Sequence, residues 1–234
     1  MRAWLVIGVL VVAGAAAAFF GVNLFTYPTK SLPSVKPPVL DMLALQKQAQ
    51  AGDAKSQAEL GRLYAKGEGV TNSYAEAAKW FRLAADQTNS DALLGLGELY
   101  EAGQGVPKDL DQAVKLYRQA AEVGNADGEY TLAFMYESGR GVRQSHAEAA
   151  KWFQRAAEQG QVLAQYDLGQ RYNLGVGVVA DRVEALKWLM LAADKGQGDA
   201  AQRRDQLKRE LTSEQVSEAR RRAAKFSAGK PGSQ

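Results

Sequence analysis

Residues Gly52 to Gly196 write one 36-residue unit four times without an insertion, and no other property of the chain restricts its fold as strongly. Gly67 and Gly69 return as Gly103 and Gly105, then Gly139 and Gly141, then Gly175 and Gly177. Tyr64, Tyr100, Tyr136 and Tyr172 keep the same step, as do the alanine pairs that begin at Ala84, Ala120, Ala156 and Ala192. A unit this short cannot bury a core alone, so the copies must stack into an array in which each leans on its neighbours.

Within the first unit, Ala58, Leu60, Gly61, Leu63 and Tyr64 fall at helical spacing, which predicts a first helix over 54–66. Gly67 ends it, since glycine reaches the left-handed conformation that follows a helix C-terminus without steric cost. A second helix opens on a repeated capping-box spacing: Ser73 with Glu76, Asp109 with Gln112, Ser145 with Glu148, Asp181 with Glu184. That helix carries Trp80, Trp152 and Trp188, with Leu116 in the same slot, followed by the alanine pair. Large rings beside small residues, Gly61, Gly97 and Gly169 among them, predict close helix packing. Lys79, Lys151 and Lys187 stand three residues after a glutamate, an ion-pair spacing that Lys115 lacks.

The pattern A-x-x-x-L-G-x-x-Y-x-x-G-x-G-V, followed by A-x-K-W-[FY]-x-x-A-A-[DE]-x-G, resembles the Sel-one-like repeat family, relatives of the tetratricopeptide arrays. The resemblance implies an all-α, right-handed solenoid of antiparallel helix pairs that acts as a protein-interaction scaffold, with first helices lining its concave surface. The repeats are expected at about 53–88, 89–124, 125–160 and 161–196, within a solenoid over 39–226 whose helical half-repeat caps span 39–52 and 197–226. Thr88 and Ser90 depart from the pattern and predict a slightly altered turn after the first repeat. Closing segments of this kind resemble the Thr212 to Gln215 stretch, a further capping box.

Chemistry is largely excluded. The chain has no cysteine, which removes disulfide scaffolds, zinc fingers and thiol catalysis, and His146 is its only histidine, so no His-based triad or HExxH site exists. The G-x-G pairs join helices and lack the preceding strand of a dinucleotide site. No catalytic, metal or cofactor residue is therefore assigned. A formal net charge of +3 gives no reason to expect nucleic acid.

Function in an array is sought where the copies disagree. On the first helix the slots of Arg62, Glu98, Phe134 and Gln170, of Glu59, Gly95, Thr131 and Asp167, and of Lys66, Ala102, Ser138 and Leu174 vary and share one helical face. The partner-binding candidates are Arg62, Lys66, Glu98, Phe134, Asp167 and Gln170. Phe134, a ring where sister repeats are polar, either anchors a partner or repacks locally with Met135.

The ends add a location. Residues 3–27 carry no charge and are long enough to span a bilayer, so 1–27 is expected to be a transmembrane signal-anchor, or a signal peptide cleaved near Ala13 to Ala18. Anchored, the chain would sit in the inner membrane as a single-pass protein with periplasmic repeats; cleaved, it would be periplasmic. Residues 28–38 form a Pro-rich linker, and 227–234 a disordered tail. From Asp199 onward nine basic residues face five acidic ones, densest at Arg220, Arg221 and Arg222, either as a solvated capping face or as a patch for an acidic partner or headgroups.

Overall fold

The computed structural model describes residues 38–228. Those residues form an all-α array. A single helix, α1 (Pro38–Gln50), precedes four helix pairs: α2 (Ala54–Lys66) with α3 (Tyr74–Ala85), α4 (Ser90–Ala102) with α5 (Leu110–Glu122), α6 (Ala126–Ser138) with α7 (His146–Gln159), and α8 (Val162–Leu174) with α9 (Arg182–Asp194). Two more helices, α10 (Gly198–Glu210) and α11 (Ser213–Ala228), close the described stretch. The expected membrane segment and the linker up to residue 37 lie outside the described residues, as does the tail from 229. Among the described residues no helix is long and apolar enough to cross a membrane. Pro38 opens α1, and Ser227 and Ala228 belong to the last turn of α11.

The four loops are built alike. Gly67, Gly103, Gly139 and Gly175 cap the first helices in the left-handed region, with φ of 72, 72, 68 and 71°. Ser73, Asp109, Ser145 and Asp181 each accept the N3 amide of the second helix, as the spacing predicts. The return half of the capping box is not made. The N-cap amides of Ser73, Asp109, Ser145 and Asp181 instead donate to the carbonyls of Tyr64, Tyr100, Tyr136 and Tyr172. That bond ties the end of the first helix to the start of the second, and it frees Glu76, Glu148 and Glu184 to pair with Lys79, Lys151 and Lys187 at 2.6 Å.

The second loop glycine joins one repeat to the one before. At Gly177, φ is 74°, and a Cβ would stand 2.0 Å from the carbonyl oxygen of His146, at the head of α7. Gly105 and Gly141 meet Tyr74 and Leu110 in the same way. No side chain fits between loop and helix there, which is why G-x-G recurs.

Between helices, the residue facing the first-helix glycine is the one after the expected tryptophan. A Cβ on Gly61 would lie 2.5 Å from the Phe81 ring, and one on Gly97 2.6 Å from Tyr117; Gly169 faces Leu189. Phe81, Tyr117, Phe153 and Leu189 are buried, whereas Trp80 and Trp152 are only half-buried and Trp188 alone is fully covered. The alanines of the second helices complete this core, with Ala84, Ala120, Ala156 and Ala192 wholly buried.

The turn after the first repeat is not altered. Thr88 adopts φ 60° and donates to Ala85, as Gly124 and Gly160 do to Ala121 and Ala157 at the same place in later repeats. A β-branched residue is thus held in glycine's conformation, at a cost of about 1–2 kcal/mol.

The C-terminal cap departs from the repeat geometry. Both halves of its capping box form, Gln215 N donating to the Thr212 hydroxyl and Thr212 N to the Gln215 side chain. With no G-x-G loop to orient it, α11 lies against α9, where Phe226 packs edge-on to Trp188 at 5.1 Å. Arg222 pairs with Asp181, Glu184 and Glu218, so the densest part of the basic cluster is partly neutralised, while Arg220 stays exposed.

Candidate functional site

Successive first helices approach one another, α2 with α4 and α4 with α6, so they share a layer whose outer face is lined by the slots that vary between repeats. Their entry is fixed by a signal not anticipated from the sequence. Asp53, Asn89, Asn125, Gln161 and Gln197 recur at the helix starts, and each accepts an amide in the first turn. Asn125 also donates to Ser90 and Asp91, and Gln161 to Asp127, tying α6 to α4 and α8 to α6.

At the N-terminal end the face is a charge network. Arg62 grips Glu59 through two bonds of 2.8 and 2.6 Å and reaches Glu68 at 2.8 Å. The paired guanidinium holds the Glu59 carboxyl below its ordinary range. Lys66 lies 3.9 Å from Glu68 and is exposed. Next to this network, a groove of about 620 Å³ opens between α2 and α4, lined by Ala58, Arg62, Phe81, Asp91, Gly95 and Glu98 among others. Among the described residues Glu98 has no cationic partner. Desolvation in the groove pushes its carboxyl up, with Glu101 and Asp127 adding repulsion.

Further along, the face closes. Phe134 is 40% exposed and packs edge-on against Tyr130 at 4.9 Å and Phe153 at 5.2 Å. Its ring contacts are these aromatics; Met135 is buried in a different cluster with Tyr117 and Leu132. Asp167 is not an open contact residue: it accepts the Tyr130 hydroxyl at 3.0 Å, and burial raises its carboxyl above the usual range. Beside it, buried Arg171 stacks on Phe153 at 4.4 Å and pairs with Glu137 at 2.5 Å. Gln170 borders a smaller cleft of about 170 Å³ between α8 and α10, with Leu174 and Arg203.

The six candidates therefore do not form one site. Arg62 and Glu98 share the groove, with Lys66 joined to Arg62 through Glu68; Phe134 and Asp167 meet through Tyr130, and Gln170 lies apart. Sequence reasoning missed Tyr130 and Arg171. Arg171 had a signal, since Leu63, Leu99 and Met135 fill its slot in the other repeats. It also missed buried Glu129, held by Arg155 at 2.9 Å and Gln159 at 2.7 Å; burial pushes its carboxyl up. Among the described residues no three metal-ligating side chains converge. The face offers an open groove, a half-exposed ring and charged rims.

Comparison with known proteins agrees with this geometry. The Sel1 repeat model matches residues 54–89, 90–125, 126–161 and 162–197, one residue later than the units expected above. No curated protein matches the chain. A solved Sel1 repeat protein from Oxalobacter formigenes is 33% identical, with a TM-score of 0.61 over 69% of this chain and 72% of that one. The protein c5321, a protective antigen present in uropathogenic Escherichia coli strains that displays an SLR fold, is 31% identical, with a TM-score of 0.70 over 80% of this chain and 41% of its own. With four consecutive matches in the register of its helix pairs, the chain belongs to the Sel1 repeat family.

Proposed function

We propose that this protein is a non-enzymatic, membrane-anchored scaffold that holds a partner protein on its first-helix face, as an accessory or assembly subunit of a bacterial inner-membrane complex. Sel1 repeats generally mediate protein–protein interaction, and both solved relatives above are bacterial. One observation carries the reading: residues that build loops and core repeat from unit to unit, while the exposed and half-exposed slots of the first-helix face do not. A preformed rigid face binds with little ordering cost, and tethering raises the local concentration of a membrane-bound partner. The uncharged run over 3–27 supports the anchor, through which the chain would contact the bilayer.

The test is purification of the tagged full-length chain from membranes in mild detergent, with mass spectrometry of its own N-terminus and of retained proteins. An intact N-terminus with a stoichiometric membrane partner is the expected result. A salt-extractable chain cut near Ala13 to Ala18, with no protein partner, would replace the anchored scaffold by a periplasmic protein acting on a cell-wall component.

A further inference from the structure

The groove between α2 and α4 opens where the first repeat carries a smaller side chain than its sister units. Ala58 occupies the slot that Leu94, Tyr130 and Tyr166 fill in the other units. Gly95 occupies the slot of Glu59, Thr131 and Asp167, and a Cβ there would lie 2.7 Å from the Phe81 ring. At Gly95 the Phe81 ring stands where a side chain would begin, and with the small Ala58 and with Leu94 it makes an apolar floor beneath a charged rim. Two repeat steps further, between α6 and α8, the same slots are occupied by Tyr130 and Asp167, bonded to each other.

The rim is not balanced. Glu59 and Arg62 neutralise each other at 2.6 Å, leaving Lys55 on the α2 side against Asp91 and Glu98 on the α4 side. Among the described residues Asp91 accepts a bond from Asn125 but pairs with no cation, and Glu98 has neither, with Asp127 close enough to raise its carboxyl further. The α4 wall therefore lacks positive charge.

From this geometry we infer that the groove is the anchor site for a peptide segment of the partner protein, one that seats a large apolar side chain on Phe81 and sets a lysine or arginine against Asp91 and Glu98. This rests on the scaffold reading and adds the chemistry of the partner. Apolar anchors in desolvated pockets dominate interface energetics, and the flanking charge selects among segments that carry one. The groove volume falls within the range of pockets that bury a small-molecule ligand, room enough for a large side chain and its neighbours.

The experiment pans a phage-displayed random-peptide library against the detergent-solubilised full-length chain, then measures selected synthetic peptides by fluorescence anisotropy. Enriched sequences are expected to place a large apolar residue near lysine or arginine. Ala58→Leu fills the groove with the side chain that the second repeat already carries, and Glu98→Lys reverses the exposed wall; each should weaken binding at least about tenfold. Thermal melts confirm that both variants fold. Peptides that bind Ala58→Leu as well as wild type but lose affinity to Phe134→Ser would overturn the groove while leaving the face as the binding surface. Peptides without a basic bias would overturn the charge assignment. An empty selection, or binding indifferent to all three variants, would overturn groove and scaffold together. Self-association that sedimentation shows to be abolished by Ala58→Leu would assign the groove to a second copy and overturn the peptide assignment.

Discussion

The loop edge of the array and its first-helix face are built from the same four units, yet they behave oppositely. At the loop edge the capping glycines keep φ between 68 and 72°, and each second-helix N-cap amide bonds a tyrosine carbonyl at 2.9 or 3.0 Å. On the face, the space between neighbouring first helices is an open groove at α2 and α4 and a packed set of Tyr130, Phe134, Asp167 and Arg171 at α6 and α8. The difference teaches where freedom lies in such a fold. The second loop glycines Gly105, Gly141 and Gly177 touch the preceding repeat, so a change there is transmitted along the stack; face residues touch at most the adjacent helix and can diverge.

Substitution at the loop edge should break the comparison most violently. Gly177→Ala forces a Cβ onto the His146 carbonyl from a left-handed backbone, and an expected loss of about 3 kcal/mol in urea denaturation follows. Gly124→Ala shares the positive φ but meets nothing within 4 Å, so it should lose only about 1 kcal/mol. Equal losses would mean that backbone conformation, and not contact between repeats, sets the constraint.

On the closed part of the face, Tyr130→Phe removes the hydroxyl that Asp167 accepts in a desolvated setting. A destabilisation of about 1–2 kcal/mol is expected, measured by the same denaturation. An unchanged midpoint would show that this contact contributes nothing to closing the face.

Thr88→Gly sharpens the comparison from the other side, because it restores to the first repeat the residue that the same turn carries in its sister units. Relief of the left-handed threonine should raise stability by about 1 kcal/mol, less whatever flexibility glycine adds to the unfolded chain. A lower melting temperature would contradict the strain assigned to it.

The smallest effect is a pH dependence in the groove. The Glu98 carboxyl is held above its ordinary range, first by desolvation and then by Glu101 and Asp127, so its charged form weakens the fold at neutral pH. That cost is present above the folded pKa and disappears below the ordinary carboxylate range near about pH 4. Glu98→Gln should therefore melt slightly higher than wild type at neutral pH, with the advantage gone in acid; an advantage that grows in acid would reverse the sign.

How much of this was legible follows from what repetition reveals. Helix limits, loop glycines, second-helix caps and the glutamate–lysine pairs appear four or three times in one register, and each copy checks the others. The Phe81, Tyr117, Phe153, Leu189 slot was equally repeated, but the tryptophan before it drew attention because ring size is visible in sequence and rotational position is not. Thr88 looked like a departure in structure, although neighbouring contacts impose the glycine conformation on it. Past Gly196 no copies remain to compare, so the placement of α11 on α9 could not be read. The groove was hidden for a different reason. Ala58 and Gly95 are unremarkable residues on different helices, and only the helix packing sets both against Phe81.

The most direct test of the central claim, that the face where the repeats disagree is the one that binds, compares three full-length chains purified from membranes under identical conditions. Wild type is set beside a face variant, Glu98→Lys with Phe134→Ser, and beside Lys115→Glu on an exposed second-helix position. The account predicts a stoichiometric partner, quantified by mass spectrometry, that survives Lys115→Glu and is lost from the face variant while all three melt cooperatively. A partner kept by the folded face variant, or lost equally from both, would contradict it.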